Sequence, residues 1–282
     1  MRRNSGSTLA KTNSHGQQPS AILCSGLTRK FGGIAAVDSL DLDIPYRQVF
    51  GLLGPNGAGK STTIKMLTTL LDPTGGTAFV AGFDLVRQQA EVRRRIGYVP
   101  QMLSADGALT GYENLIFSAR LYGVSGSEAA HRIDETLELM GLQDSARRLV
   151  RTYSGGMIRR LELAQTMLHR PAILFLDEPT IGLDPVARRT VWDRLKDLRR
   201  DYGMTILLTT HDMDEADELC DELAILHSGR IAVKGAPAEL KRKVGRKSTL
   251  EDVFAHYVGG TIHEGGNYRD VRSTRRTVAR FG

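Results

Sequence analysis

Polar and apolar residues alternate at Leu40-Asp41-Leu42-Asp43-Ile44, the period of two expected of a half-buried strand, and residues 21–50 read as short strands. Compact runs follow: Gln48–Leu53 (QVFGLL) and Ala172–Leu176 (AILFL) each predict a buried strand, and Thr77–Gly82 (TAFVAG) and Thr205–Thr210 (TILLTT) read as further strands. Between them the period becomes helical. Thr62–Leu71 reads as a helix, and Met157, Leu161, Ala164 and Leu168 keep helical spacing behind Ser154, which sits where an N-cap belongs. Val191, Leu195, Leu198 and Tyr202 give another helix one apolar face. That helix has Asp184-Pro185 at its start and Gly203 at its end, each in its favoured place. Asp72–Gly76 (DPTGG) reads as a turn.

From about 86 to 168 the chain is rich in Arg and Glu, with long helical patterns broken by Gly107, Gly111, Gly123 and Gly141. This predicts a helical insertion. Strands alternating with helices indicate an α/β fold with a mainly parallel sheet, whose chemistry lies at the strands' carboxyl ends. No internal repeat or sustained heptad is visible.

One stretch carries specific chemistry. Gly54-Pro55-Asn56-Gly57-Ala58-Gly59-Lys60-Ser61 fits G-x-x-x-x-G-K-[ST] at every fixed position, with Thr62 following. Glycines let consecutive N–H groups turn inward around anionic oxygens. Lys60 brings a mobile positive charge to the phosphates, and Ser61 offers a hydroxyl to Mg²⁺. A strand before the loop and a helix after it place the helix N-terminus at the phosphates.

Composition changes the picture little. The 282 residues are 41% hydrophobic and 25% charged, ordinary for a globular protein. No signal-peptide pattern opens the chain, and no apolar run approaches the ~18 residues of a membrane span. The net charge of +6 is uneven. Residues 1–20, 241–247 and 261–282 carry +3, +5 and +3, so the remainder is acidic and no nucleic-acid partner is expected. Residues 1–20 read as a disordered basic tail. Residues 241–282 read as a basic extension with a short helix and a disordered end. Cys24 and Cys220 read as small buried residues in a reducing compartment.

Further motifs surround the loop. Asp177-Glu178 end a buried strand, where one carboxylate can serve Mg²⁺ and the other polarise a water. Tyr153-Ser154-Gly155-Gly156-Met157 offers unobstructed backbone donors at a helix start, a second anion site. Gln101 follows the Gly97–Pro100 segment where the sheet hands over to the helical insertion. His211 follows the TILLTT strand and could reach a γ-phosphate. Phe31 could stack on a purine.

Taken in order, Phe31, GPNGAGKST, Gln101, YSGGM, ILFLDEP, Gly182-Leu183-Asp184 and His211 resemble the ATP-binding subunit of ABC transporters over residues 21–235. DEPTIGLDP, YSGGM and TLEDVFAHYVGG look like the drug-resistance branch of bacterial exporters, similar to daunorubicin export. The resemblance implies a P-loop NTPase core with an N-terminal antiparallel β subdomain and a helical insertion subdomain, together an ATPase domain at 21–240. It implies ATP and Mg²⁺ as ligands and a second ABC subunit, more simply an identical copy, arranged head to tail. A separate multi-span permease would hold the pair at the cytoplasmic face of the membrane.

Residue by residue, the resemblance implies that Gly54–Thr62 hold the phosphates and that Ser61, Gln101 and Asp177 surround Mg²⁺. Glu178 would be the general base, with His211, Lys60 and Gln101 assisting. Phe31 would stack on adenine, and Ser154, Gly155, Gly156 and Asp184 would complete a nucleotide site across the dimer. The family's commonest signature reads LSGGQ, so Tyr153 and Met157 depart from it while Ser154, Gly155 and Gly156 are kept. A soluble ABC ATPase of translation or DNA maintenance is the alternative. Those relatives usually carry two cassettes or long coiled-coil insertions, and this chain has neither. A phosphate-loop kinase is disfavoured by the signature and the Asp-Glu pair.

Overall fold

The computed structural model describes residues 19–259. The expected tail at 1–18 and the end of the C-terminal extension, from 260 onward, lie outside the described residues.

Two sheets organise these residues. The first runs β2-β1-β4-β5 and is antiparallel, formed by β1 (Ser20–Phe31), β2 (Ile34–Pro45), β4 (Gly75–Val80) and β5 (Phe83–Asp84). The region read as short strands is dominated by two twelve-residue strands, interrupted by register shifts. The Leu40–Ile44 alternation holds: Leu40, Leu42 and Ile44 are buried while Asp41 is exposed. The turn expected at Asp72–Gly76 ends earlier, because Gly75 and Gly76 already belong to β4. Ser20, placed in the tail, begins β1.

The second sheet runs β10-β9-β3-β8-β7-β6, from β3 (Val49–Leu53), β6 (Ile96–Val99), β7 (Ile173–Asp177), β8 (Thr205–Thr210), β9 (Glu222–His227) and β10 (Arg230–Gly235). Only the β9–β10 pairing is antiparallel. Every residue of β3, β7 and β8 is buried, which explains the apolar runs at their centres, while the buried polar residues Asp177, Thr205, Thr209 and Thr210 stand at strand ends. Alternate side chains still choose opposite faces. Leu174, Leu176, Ile206 and Leu208 join a core under the helices, whereas Ile173, Phe175 and Leu207 join a core between the sheets.

Helices α1 (Lys60–Leu67), α2 (Gln89–Arg95), α3 (Gly111–Leu121), α4 (Gly126–Met140), α5 (Gly155–Met167), α6 (Pro185–Tyr202), α7 (Met213–Leu219), α8 (Pro237–Val244) and α9 (Leu250–Val258) complete the description. The helical segment expected from about 86 contains β6, paired with β7, so the helical layer of α3, α4 and α5 starts after Val99. α6 has the ends expected of it. Asp184 Oδ1 accepts from the Val186 and Ala187 amides, and Gly203 terminates it at φ 59°. Its apolar face is shorter than expected: Val191, Leu195 and Leu198 are buried, but Tyr202 is 46% exposed and points its hydroxyl at Glu135. Both cysteines are free and buried, and burial pushes the Cys24 thiol pKa up to about 12.

Candidate nucleotide site

The site forms where β3, β7 and β8 end side by side. Gly54 leaves β3, its N–H donating to the Thr210 carbonyl at 3.3 Å, and the loop turns into α1. Gly59 stands before α1 at φ 105°, and a Cβ there would lie 2.5 Å from the Ala36 carbonyl oxygen, so only glycine fits. The glycine gives α1 no side-chain cap, and the first-turn amides are left without an intrahelical partner. These are the donors an anion would take. Pro55, Asn56 and Gly57 are exposed, Ala58 is buried, and Ser61 and Thr62 are half-buried at the mouth.

Lys60 is 5% exposed. Its Nζ donates to Gly54 O at 2.7 Å and Pro55 O at 3.3 Å, and lies 3.2 Å from Glu178 Oε1. Glu178, 5% exposed, places its other oxygen 2.6 Å from His211 Nδ1. Lysine, glutamate and histidine, far apart in sequence, therefore form one chain of charge-assisted contacts. Glu178 has a left-handed backbone, φ 53°, costing on the order of 1 kcal/mol for a residue with a Cβ. Its N–H is held by both the carbonyl (3.1 Å) and the hydroxyl (3.0 Å) of Thr209. The Thr209 hydroxyl also donates to Asp177 Oδ1 at 2.6 Å, the same oxygen that accepts from Ser61 Oγ at 3.1 Å. Thr209 thus holds the Asp177 carboxylate and the Glu178 backbone. Its sequence signal was only that of a buried strand residue. Tyr98 lies nearby on β6, its pKa pushed up to about 12 by burial and by the negative Asp177.

Other expected residues lie elsewhere on the surface. Phe31 ends β1, 47% exposed, with the Arg29 guanidinium 4.6 Å from its ring centroid. Gln101 is exposed, and its side chain makes no hydrogen bond among the described residues, while its carbonyl accepts from Arg159 at 2.9 Å. Ser154 caps α5, accepting from Met157 N at 3.3 Å. A Cβ on Gly156 would lie 2.8 Å from Ala187 Cβ, and one on Gly155 3.1 Å from Leu183. The glycines let the starts of α5 and α6 touch, bringing YSGGM against Gly182-Leu183-Asp184. Of the two departures in that motif, Tyr153 is buried with its hydroxyl on Ser145 O (2.6 Å), and Met157 packs against the core under the helices. The structure brings together Gly54–Thr62, Asp177, Glu178 and His211. No hydrogen bond or ion pair among the described residues joins Ser154 or Asp184 to them.

Behind the site lies a buried carboxylate that sequence reading missed. Glu215 of α7 accepts from Thr180 Oγ1 at 2.6 Å and Trp192 Nε1 at 3.0 Å. Burial raises its pKa.

Residues 37–181 match the family described as ABC transporter. Over 88% of its length the chain is 50% identical to the daunorubicin/doxorubicin resistance ATP-binding protein of Streptomyces peucetius, covering 78% of that protein.

The chain belongs to the ABC transporter family.

It is an ATP-binding subunit of that family. A second relative, the Nod factor export ATP-binding protein I of Cupriavidus metallidurans, is 44% identical over 78% of this chain and 73% of its own. Among solved structures, the ATP-binding subunit of an ABC transporter superposes with a TM-score of 0.74 at 28% identity, covering 84% of this chain and 99% of its own. A dimeric ATP-binding cassette bound to ADP and Pi in a post-hydrolysis state superposes at 0.67 and 26% identity, covering 76% and 98%. These relatives accord with an exporter subunit and not with a soluble ATPase of translation. Among the described residues no helix is long and apolar enough to cross a membrane.

Proposed function

We propose that this ABC subunit hydrolyses ATP to drive export of an amphiphilic, drug-like cargo through a separate permease, two identical copies closing head to tail around two ATP molecules. The observation that carries this reading is the Lys60–Glu178–His211 chain at the strand ends, facing the uncapped start of α1. The relatives' names suggest the cargo class, daunorubicin and doxorubicin resistance in one and Nod factor export in another. The dimeric neighbour supports pairing.

In the resting chain Lys60 is held by two loop carbonyls and by Glu178. ATP phosphates offer that ammonium a stronger anionic partner, and the amides of Gly57–Ser61 take their oxygens. This frees Glu178 to accept a proton from the attacking water. The water oxygen bonds to the γ-phosphorus, the bond to the ADP oxygen breaks, and ADP carries away the negative charge. His211, already on Glu178, keeps the carboxylate aimed and can stabilise the γ-phosphate. Ser61 Oγ and Asp177 fit Mg²⁺, a hard cation that keeps several waters and takes phosphate oxygens. When bound, the cation neutralises charge developing on the phosphates. Phe31 would stack on adenine after Arg29 moves from its ring, and Ser154 and Gly156 would meet the γ-phosphate of the partner copy. Asp184 would line the same interface.

Glu178→Gln tests this reading. The amide keeps the shape and can still bond His211, but cannot take the proton. Turnover should fall about 10²–10⁴-fold, with ATP still bound and an ATP-dependent dimer persisting in size-exclusion chromatography. Steady-state hydrolysis at the normal rate would remove Glu178 as the base.

A further inference from the structure

The largest fully buried side chain among the described residues is charged. Arg159, 2% exposed, lies one turn into α5, the helix that Ser154 caps. Its guanidinium meets Glu162 Oε2 at 2.9 Å, and Glu162 is equally buried. An Arg–Glu pair at i,i+3 on a helix normally lies at the surface. This one turns inward, toward the segment that follows β6. One Arg159 nitrogen donates to Pro100 O at 2.7 Å and another to Gln101 O at 2.9 Å. Glu162 Oε1 accepts from the Ser104 amide and, at 3.0 Å, from the Ser104 hydroxyl. The pair therefore grips the 100–104 segment at both ends, while the side chains of Gln101 and Met102 stay exposed. Burial lowers the Arg159 pKa, and the negative charges of Glu162, Asp177 and Glu215 raise it again.

We propose that Arg159 and Glu162 are positioning residues that fix the backbone of Gln101 and tie it to the helix bearing Ser154, thereby setting turnover without touching nucleotide. The proposal rests on the reading of Gln101 as a nucleotide-site residue. A forked guanidinium suits the place, because Nη1 donates to the Pro100 carbonyl and the Glu162 carboxylate while Nη2 donates to the Gln101 carbonyl. The polar link from α5 runs inward, through Arg159, to the Gln101 segment. Gln101 and Ser154 then move as one body, so a change at Gln101 is felt at the start of α5.

Arg159→Lys is the discriminating variant, since lysine keeps the buried charge for Glu162 but cannot hold both carbonyls. Turnover by the full-length protein should fall about tenfold, with KM for ATP within twofold and the unfolding midpoint close to wild type. The Ser104 amide should exchange with deuterium faster in Glu162→Gln than in wild type. Gln101→Ala should slow turnover by a similar factor. The double variant Gln101→Ala/Arg159→Lys should be no slower than Gln101→Ala alone, because both changes disable one element. Multiplying losses in the double variant, or wild-type turnover in Arg159→Lys while Gln101→Ala is slow, overturns the positioning role and leaves the reading of Gln101 standing. Wild-type turnover in Gln101→Ala overturns that reading, and the proposal with it.

Discussion

The two halves of the proposed nucleotide site are built differently. At the phosphate loop, Lys60, Glu178 and His211 satisfy one another, and Asp177 is held by Ser61 and Thr209. At the start of α5, Ser154 is exposed and spends its hydroxyl on its own helix, while Gly155 and Gly156 lie against α6. The first half is a set of charges balanced in advance and needs only phosphate to rearrange it. The second is a shape, two helix starts brought together by absent side chains, and in the proposed dimer it would act only against the partner copy. Binding should therefore belong to the first half and turnover to both.

The sharpest way to break this division is Lys60→Ala. The ammonium makes charge-assisted contacts that ATP would take over, each worth about 1.5–3 kcal/mol. ATP affinity measured by calorimetry should fall about 10- to 100-fold or more. The same change leaves Glu178 buried without its cation, so its remaining partner is His211. Unchanged affinity would mean that the loop amides alone hold the nucleotide.

A smaller effect is expected from Gly156→Ala. The added methyl would sit 2.8 Å from Ala187 Cβ and 3.5 Å from Ala187 Cα, so the starts of α5 and α6 must separate. Overpacking of this kind costs about 1–3 kcal/mol, a loss that the thermal midpoint would register. Turnover should drop as well, while the ATP affinity of the isolated subunit stays within twofold. A loss of binding as large as that of Lys60→Ala would show that the two halves are not separable.

The same contrast governs how much the sequence disclosed. The phosphate loop is legible because its glycines and lysine are required by backbone geometry and charge at fixed spacing. The strands β7 and β8 are legible because burial on both faces forces an apolar run. β6 was legible only in part: Gly97–Pro100 reads as the place where the sheet hands over, yet the strand falls inside the stretch read as helical from about 86, because four residues behind the arginine-rich α2 have no period of their own to mark a start. Arg159 and Glu162 escaped for a related reason. Charged residues three apart on a helix look like a solvated face, and only the tertiary course of the 100–104 segment turns that face inward. Thr209 is hidden inside a strand pattern although its hydroxyl holds the Asp177 carboxylate and the Glu178 amide. Tyr202 erred the other way, since helical spacing continues to the last turn of α6 but the core beneath it does not.

Asp184 gives the finest test, because two roles compete for one carboxylate. It caps α6 with two amide contacts of 2.9–3.0 Å, and its loop adjoins the start of α5. As a cap, its loss in Asp184→Ala should cost about 1 kcal/mol and lower the unfolding midpoint by roughly 2–4 °C for a domain of this size. Asp184→Asn retains an oxygen acceptor at the same place, since asparagine caps as well as aspartate, and should restore most of the midpoint. Hydrolysis then separates the roles. If capping alone matters, Asp184→Asn turns over ATP at the wild-type rate. If the charge acts across the dimer, Asp184→Asn is stable but slow, and the half-site formed by shape carries a charge of its own.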